Sequence, residues 1–156
     1  MGTPTETTLA RRWVVQVNMA TDVSPDWQLL PAITDYTWKA DPVIDDDSTY
    51  DQGGWMANAK TGQSWSADAS FNRKATPDST AYSPVHEKLR LAAFAFGAAS
   101  KVGIRWYDRD SLPEAYQGTA LVTWTPSGGD RTKLENIKAT LTGTGILVPI
   151  TNPLLP

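Results

Sequence analysis

The sequence predicts a mainly β domain with one α-helix, and three features carry that prediction. Six segments alternate apolar and polar residues with a period of two, the pattern of half-buried strands. A single segment places apolar residues at helical spacing between a start and a stop signal. Threonine occurs 19 times, in keeping with the solvated faces of strands.

Taken in chain order, residues 1–8 are Thr-rich with one Pro and read as an N-terminal arm. Trp13, Val15, Val17 and Met19 then share one phase, opposed by Arg12, Gln16 and Asn18, and predict the first strand. The pattern breaks at 22–25. A short apolar piece follows at 26–30, and Tyr36 and Trp38 in phase predict a strand over 34–39. Residues 41–62 hold five Asp, one Pro and three Gly and read as a long acidic loop. Loops of that length in compact domains are usually functional.

The next strand has Trp65, Ala67, Ala69 and Phe71 on one face and Ser64, Ser66, Asp68, Ser70 and Asn72 on the other. Ser83 as N-cap, Pro84 at the first helical position and Gly97 as the C-terminal stop frame a helix. Its apolar stripe is Val85, Leu89, Ala92, Ala93 and Phe96, with Glu87 and Arg90 able to pair on the outer side. Three strands close the chain: Val102, Ile104 and Trp106; Tyr116, Gly118, Ala120, Val122 and Trp124; Ile137, Ala139 and Leu141. Turns are expected at 108–113 and 126–130. The tail, 151–156, carries two Pro and reads as an extended C-terminal arm, leaving 9–150 as the domain.

Composition narrows the function. A chain of 156 residues and 17.0 kDa is one domain able to bury roughly two-thirds of its unfolded surface. Fourteen basic residues against seventeen acidic give a net charge of −3, which argues against a protein that grips nucleic-acid phosphates. Zero Cys removes disulfides, thiolate nucleophiles and Cys-type zinc sites. No apolar run approaches a membrane span, and the start lacks the apolar core of a signal peptide. Glu6 stands where a myristoylation motif needs Ser or Thr. A soluble, untargeted domain with no membrane binding of its own is expected.

Catalytic motifs are scarce. There is no G-x-S-x-G elbow, and His86, the single His, is read as a structural residue, solvated or partly packed on the helix flank. Gly143-Thr-Gly145 meets Val148 where a dinucleotide loop needs Gly. Asp45, Asp46, Asp47 and Asp51 invite a calcium reading, but an EF-hand counted from Asp45 meets Tyr50 and Met56 where Gly and Glu are required. A solvated acidic loop or a charged docking loop remains. Asp108, Asp110 and Glu114 share one surface turn, where acids are expected for turn reasons rather than for glycoside hydrolysis. Trp13, Trp65, Trp106 and Trp124 follow the aliphatic faces of their strands and read as core. Trp27, Trp38 and Trp55 follow no clear pattern and are candidates for exposure at an interface. No cofactor, metal or catalytic residue emerges, and the chain is read as a non-enzyme.

Four strings carry a resemblance: DYTWKADPVIDDDSTYDQGGWMANAKTGQSWSADASFNRK (35–74), VGIRWYDRD (102–110), EAYQGTALVTW (114–124) and ATLTGTGILVPITNP (139–153). In this order, spanning 27–153, they resemble the major tail-tube proteins of long-tailed, non-contractile (siphovirus-type) bacteriophages. The resemblance implies two packed antiparallel sheets with a flanking helix. It also implies hexameric rings stacked into a tube through which double-stranded DNA passes without sequence-specific binding. Implied partners are the chain itself and the tape-measure, terminator and tail-tip proteins. The implied location is the virion tail, assembled in the host cytoplasm. There is no room for the trailing immunoglobulin-like domain that some relatives carry.

Two sets of residues are singled out within this reading. Asp45, Asp46, Asp47, Tyr50, Asp51 and Trp55 form a loop docking on the adjacent ring, with Arg73, Lys74 or Arg131 as counterparts. Ser64, Ser66, Asp68, Ser70 and Asn72, all short and none basic, line the bore, with the Lys138, Thr140, Thr142 face as the competing choice. Two other readings compete with the tube. One is a single-ring tail-terminator of the same fold. The other is a monomeric carbohydrate-binding β-sandwich, which requires Trp27, Trp38 and Trp55 on one solvent face.

Overall fold

The computed structural model describes residues 7, 9–20, 24–78 and 80–155; the N-terminal arm expected at 1–8 lies, but for Thr7, outside them. Eight antiparallel strands run in the spatial order β2 (Trp27–Leu29), β1 (Trp13–Asn18), β5 (Lys101–Asp108), β6 (Ala115–Pro126), β7 (Asn136–Gly143), β4 (Asn58–Asn72), β3 (Ile33–Asp46). The last, β8 (Val148–Pro149), pairs with Tyr116 and Gln117 of β6. One helix, α1 (Pro84–Phe94), covers part of the sheet.

The two packed layers are a single continuous sheet. β6 pairs with β5 only as far as Leu121 and with β7 only from Ala120 onward. The first half of β6 therefore belongs to the layer of β2, β1 and β5, and the second half to the layer of β7, β4 and β3. The inward faces are those that the alternation picks out: Val15 and Val17, Ile104 and Trp106, Ala120 and Val122, Ile137 to Leu141 in alternation, and Trp65 to Phe71 in alternation are buried. Between the layers lies an aromatic cluster. Trp106 sits 5.7 Å from both Trp38 and Trp65, and Trp38 reaches Tyr116 at 4.6 Å and Trp13 at 6.4 Å. Trp13 meets Trp38 edge to face and the other pairs are tilted, geometries in which aromatic pairs contribute beyond their buried area.

The helix begins where expected but ends early. Ser83 flanks it, yet its hydroxyl makes no cap bond; its carbonyl accepts the Glu87 amide at 3.0 Å. Ala95 turns extended and stops the helix, and Gly97, at φ +68°, opens a separate 3-10 turn, Gly97–Ser100. Phe96 therefore leaves the stripe and is 94% exposed, while Val85, Leu89 and Ala92 stay buried. His86 is buried rather than solvated. Its ring stacks on Phe71 at 4.3 Å, Nε2 meets the Pro31 carbonyl at 3.1 Å, and Nδ1 accepts the Lys74 amide at 3.4 Å.

The largest departure concerns 41–62. Most of it is not loop: β3 and β4 pair from Ile33↔Phe71 to Asp46↔Asn58, with register shifts between Ile33 and Asp35 and between Val43 and Ile44, leaving only 47–57 to turn the chain. Beyond Asp41 the hairpin is exposed on both faces except at Ala59 and Gly62. A strand with no face to bury needs no apolar alternation, so its pattern is invisible in sequence. Pro42 is tolerated because β3 is an edge strand.

At the other end of the chain, Asn152 is buried and donates to the carbonyls of Asp108 at 2.9 Å and Leu112 at 2.6 Å. This part of the 151–156 tail is thus tied to its own subunit.

Candidate assembly surfaces

Three surfaces stand out. The first is the outward face of the layer β6-β7-β4-β3. Cross-strand pairing sets Ser66 beside Thr142 and Lys39, Asp68 beside Thr140 and Thr37, Ser70 beside Lys138 and Asp35, and Asn72 beside Asn136. Thr140 donates to Asp68 Oδ1 at 2.9 Å, and Asn136 donates to Asn72 Oδ1 at 3.2 Å. Lys39 pairs with Asp41 at 3.2 Å. Between Asp35 and Asp41 the face carries three carboxylates, Asp35, Asp41 and Asp68, against two ammonium groups, Lys39 and Lys138.

This arrangement corrects one expectation. The Ser/Asp face of β4 and the Lys138 face of β7 are not alternatives, because Ser70 and Lys138 are direct partners on the same side of one sheet. A bore lined by the first is lined by the second.

The second surface is the pair of free edges of that layer. Among the described residues, no strand pairs with the outer side of β3 along its 14 residues. At the other end, residues 122–126 of β6 have β7 on one side and no strand on the other among the described residues. Unpaired edges present rows of backbone donors and acceptors that another chain can satisfy.

The third is the hairpin tip, 47–57. Ser48 organises it: its amide donates to Asp46 Oδ1 and its Oγ accepts from Ala57, each at 2.9 Å. Gly53 and Gly54 take the positive φ values, +61° and +86°, that the turn requires. Hydrogen bonds from Ser48 hold the Asp46 carboxyl below the usual range, and the Thr49 hydroxyl does the same for Asp51. Both are ionised at neutral pH. None of Asp45, Asp46, Asp47 and Asp51 has an ion-pair partner among the described residues. Tyr50, Trp55 and Met56 project into solvent beside them.

Compared by sequence, the chain matches no protein-family model and no curated protein. Compared by structure, it is similar to a chain from the tail of an empty gene transfer agent particle refined with C6 symmetry. The TM-score is 0.73 at 12% identity, over 93% of this chain and 100% of that one. It is also similar to the SPP1 tail tube, with TM-score 0.66 at 12% identity, over 94% of this chain and 80% of that one. A chain of an extracellular contractile injection system's sheath/tube terminator gives 0.60 at 13% identity, over 94% and 99%. The chain has the tail-tube fold.

Within the tail-tube fold, the residues singled out from sequence fall in two places. Ser64, Ser66, Asp68, Ser70 and Asn72 share the outward face of β4, and Asp47, Tyr50, Asp51 and Trp55 share the hairpin tip that Asp45 and Asp46 lead into. The three unpatterned tryptophans are separated. Trp38 is packed in the core, Trp27 lies on the opposite layer with Arg105 4.7 Å from its ring, and Trp55 is at the tip. They form no common platform for a sugar. Arg73 is already engaged: it bonds Glu87 and stacks on Tyr82 at 3.9 Å, with a side chain 7% exposed. It is not free to meet a loop from outside. Sequence reasoning missed the free half-edge of β6, because alternation continues unbroken through the residue where the strand changes layer.

Proposed function

We propose that this chain is the subunit of a phage-type tail tube, assembled as stacked hexameric rings that conduct double-stranded DNA. The observation that carries the reading is the pair of free edges on one four-stranded layer. β3 of one copy and the 122–126 half-edge of β6 of the next can join such layers into a closed ring, which removes both edges. The likeness to tail and tube chains supports the same architecture.

In this reading the polar face of β3, β4, β7 and β6 lines the bore. Its β4 side chains are short, and between Asp35 and Asp41 carboxylates outnumber ammonium groups three to two, so sliding phosphates meet few unopposed cations. The hairpin tip contacts the adjacent ring. The chain works in the virion tail after assembly in the host cytoplasm, with tape-measure, terminator and tail-tip proteins as further partners. It performs no catalysis.

Negative-stain microscopy of the purified protein tests the reading. Long hollow tubes are expected; single rings select the terminator reading instead, and a monomer at all concentrations overturns both.

A further inference from the structure

A cleft of roughly 530 Å³ opens where the first residues of β3 meet the start of β1, a volume within the range of about 300–1,000 Å³ typical of ligand-sized pockets. Its walls are apolar at Val14, Leu29 and Ile33, and two arginines, Arg11 and Arg109, stand on its rim, both exposed. Neither has a carboxylate within ion-pair distance among the described residues, although Asp35 also lines the cleft. Tyr36, another lining residue, has a buried hydroxyl with no hydrogen-bond partner.

We infer that this cleft receives the hairpin tip of a second copy of the chain. The inference rests on the tail-tube reading and names the receptor for its inter-ring contact. The tip offers several carboxylates to two guanidinium groups that have no ion-pair partner among the described residues, and exposed aromatic rings to an apolar wall. The geometry is head-to-tail. The cleft lies at the first residues of β3 and the tip follows its last, roughly 40 Å away at about 3.3 Å per residue. Complementary patches at opposite ends of one subunit form a heterologous contact, which does not close on itself and so propagates. Arginine suits the role because its planar fork binds carboxylates in two-point fashion.

The chain has no cysteine, so introduced thiols report proximity without background. In the double variant Asp51→Cys/Arg109→Cys, mild oxidation of assembled tubes is expected to give a disulfide ladder of many rungs on a non-reducing gel. Either single variant is expected to give none. Tubes that form without the ladder overturn the cleft assignment and leave the tail-tube reading standing. So does a ladder that appears instead when Asp51→Cys is combined with Lys74→Cys or Arg131→Cys. A link within one subunit between Thr5→Cys and Arg109→Cys makes the chain's own N-terminal arm the occupant and also overturns it. Wild-type protein that never leaves the monomer overturns both. Should the thiols disturb assembly, charge reversal gives a second readout: Arg109→Glu slows tube growth by about tenfold or more, and adding Asp51→Lys restores it.

Discussion

Trp65 lies against Gly143 so closely that a Cβ on that glycine would sit 2.4 Å from the indole Cε2 and Nε1. Gly118, on the other flank, would place one 2.6 Å from the same ring. The two glycines are the floor on which a buried tryptophan rests where β6, β7 and β4 meet. The indole is held from above by Trp106 and donates to the Gly145 carbonyl at 3.3 Å.

Gly143→Ala is therefore expected to destabilise the subunit by about 1–3 kcal/mol, the usual cost of overpacking. The sign is informative, because Gly→Ala within a strand otherwise reduces the unfolded chain's freedom and stabilises. Urea unfolding checks it. Unchanged or increased stability would show that the ring has room to move.

The buried faces were legible in the sequence because each strand has one wet and one dry side; Val15 and Val17 or Ala67 and Ala69 announce themselves by alternation. The hairpin was not, since Pro42 to Asp46 are wet on both sides and obey no such rule. Nor was the depth of His86, whose burial depends on Phe71 and Pro31 arriving from distant segments. For the candidate surfaces, the small polar face of β4 could be read directly. That Lys138 shares it follows from strand register, which no local pattern specifies.

His86 gives a pH signature. Burial holds its pKa below the ordinary 6.5, and the nearby Arg73 and Lys74 charges push the same way, against the Pro31 carbonyl. The neutral ring, protonated at Nε2, satisfies both the Pro31 carbonyl and the Lys74 amide. As pH falls through 6.5 the unfolded chain takes up a proton that the folded chain refuses, so stability declines until the folded value is passed. His86→Gln is expected to flatten that slope and to cost about 1–3 kcal/mol at neutral pH. Thermal melts between pH 8 and 5 provide the measurement, and parallel curves for the two proteins would refute it.

Glu87 acts in the opposite range. The Arg90 guanidinium, bonded at 2.7 and 2.9 Å, and Arg73 lower its carboxyl to about 2 from an ordinary 4.5. A depressed folded pKa means the stabilisation is complete above 4.5 and is lost as pH falls towards 2. Because the carboxylate is partly exposed, Glu87→Gln should cost only about 0.5–1 kcal/mol at neutral pH. The difference from wild type should shrink as pH falls below 4.5 and vanish only below about 2, where the folded-state carboxyl is protonated as well. A gap that persists there would assign the effect to packing.

The polar face proposed to line the bore makes the sharpest functional test. Asp68 and Lys138 lie two residues apart in register on neighbouring strands, on the same face, so exchanging charge at either site changes the same strip of surface. In Asp68→Lys the strip turns from three carboxylates against two ammonium groups to two against three. DNA phosphates then meet a net cationic wall, and each added ion pair releases counterions and resists sliding. Both side chains are partly exposed or exposed and outside the core, so rings and tubes should still form, with the lost Thr140 bond to Asp68 the main structural consequence. DNA release from particles carrying Asp68→Lys should slow, and more so at low salt, where screening is weaker. Lys138→Ser should leave release as fast as wild type or faster. Measuring ejection by a DNA-binding dye at two salt concentrations separates these outcomes. If Asp68→Lys particles with normal tails eject normally at both, this face does not line the channel.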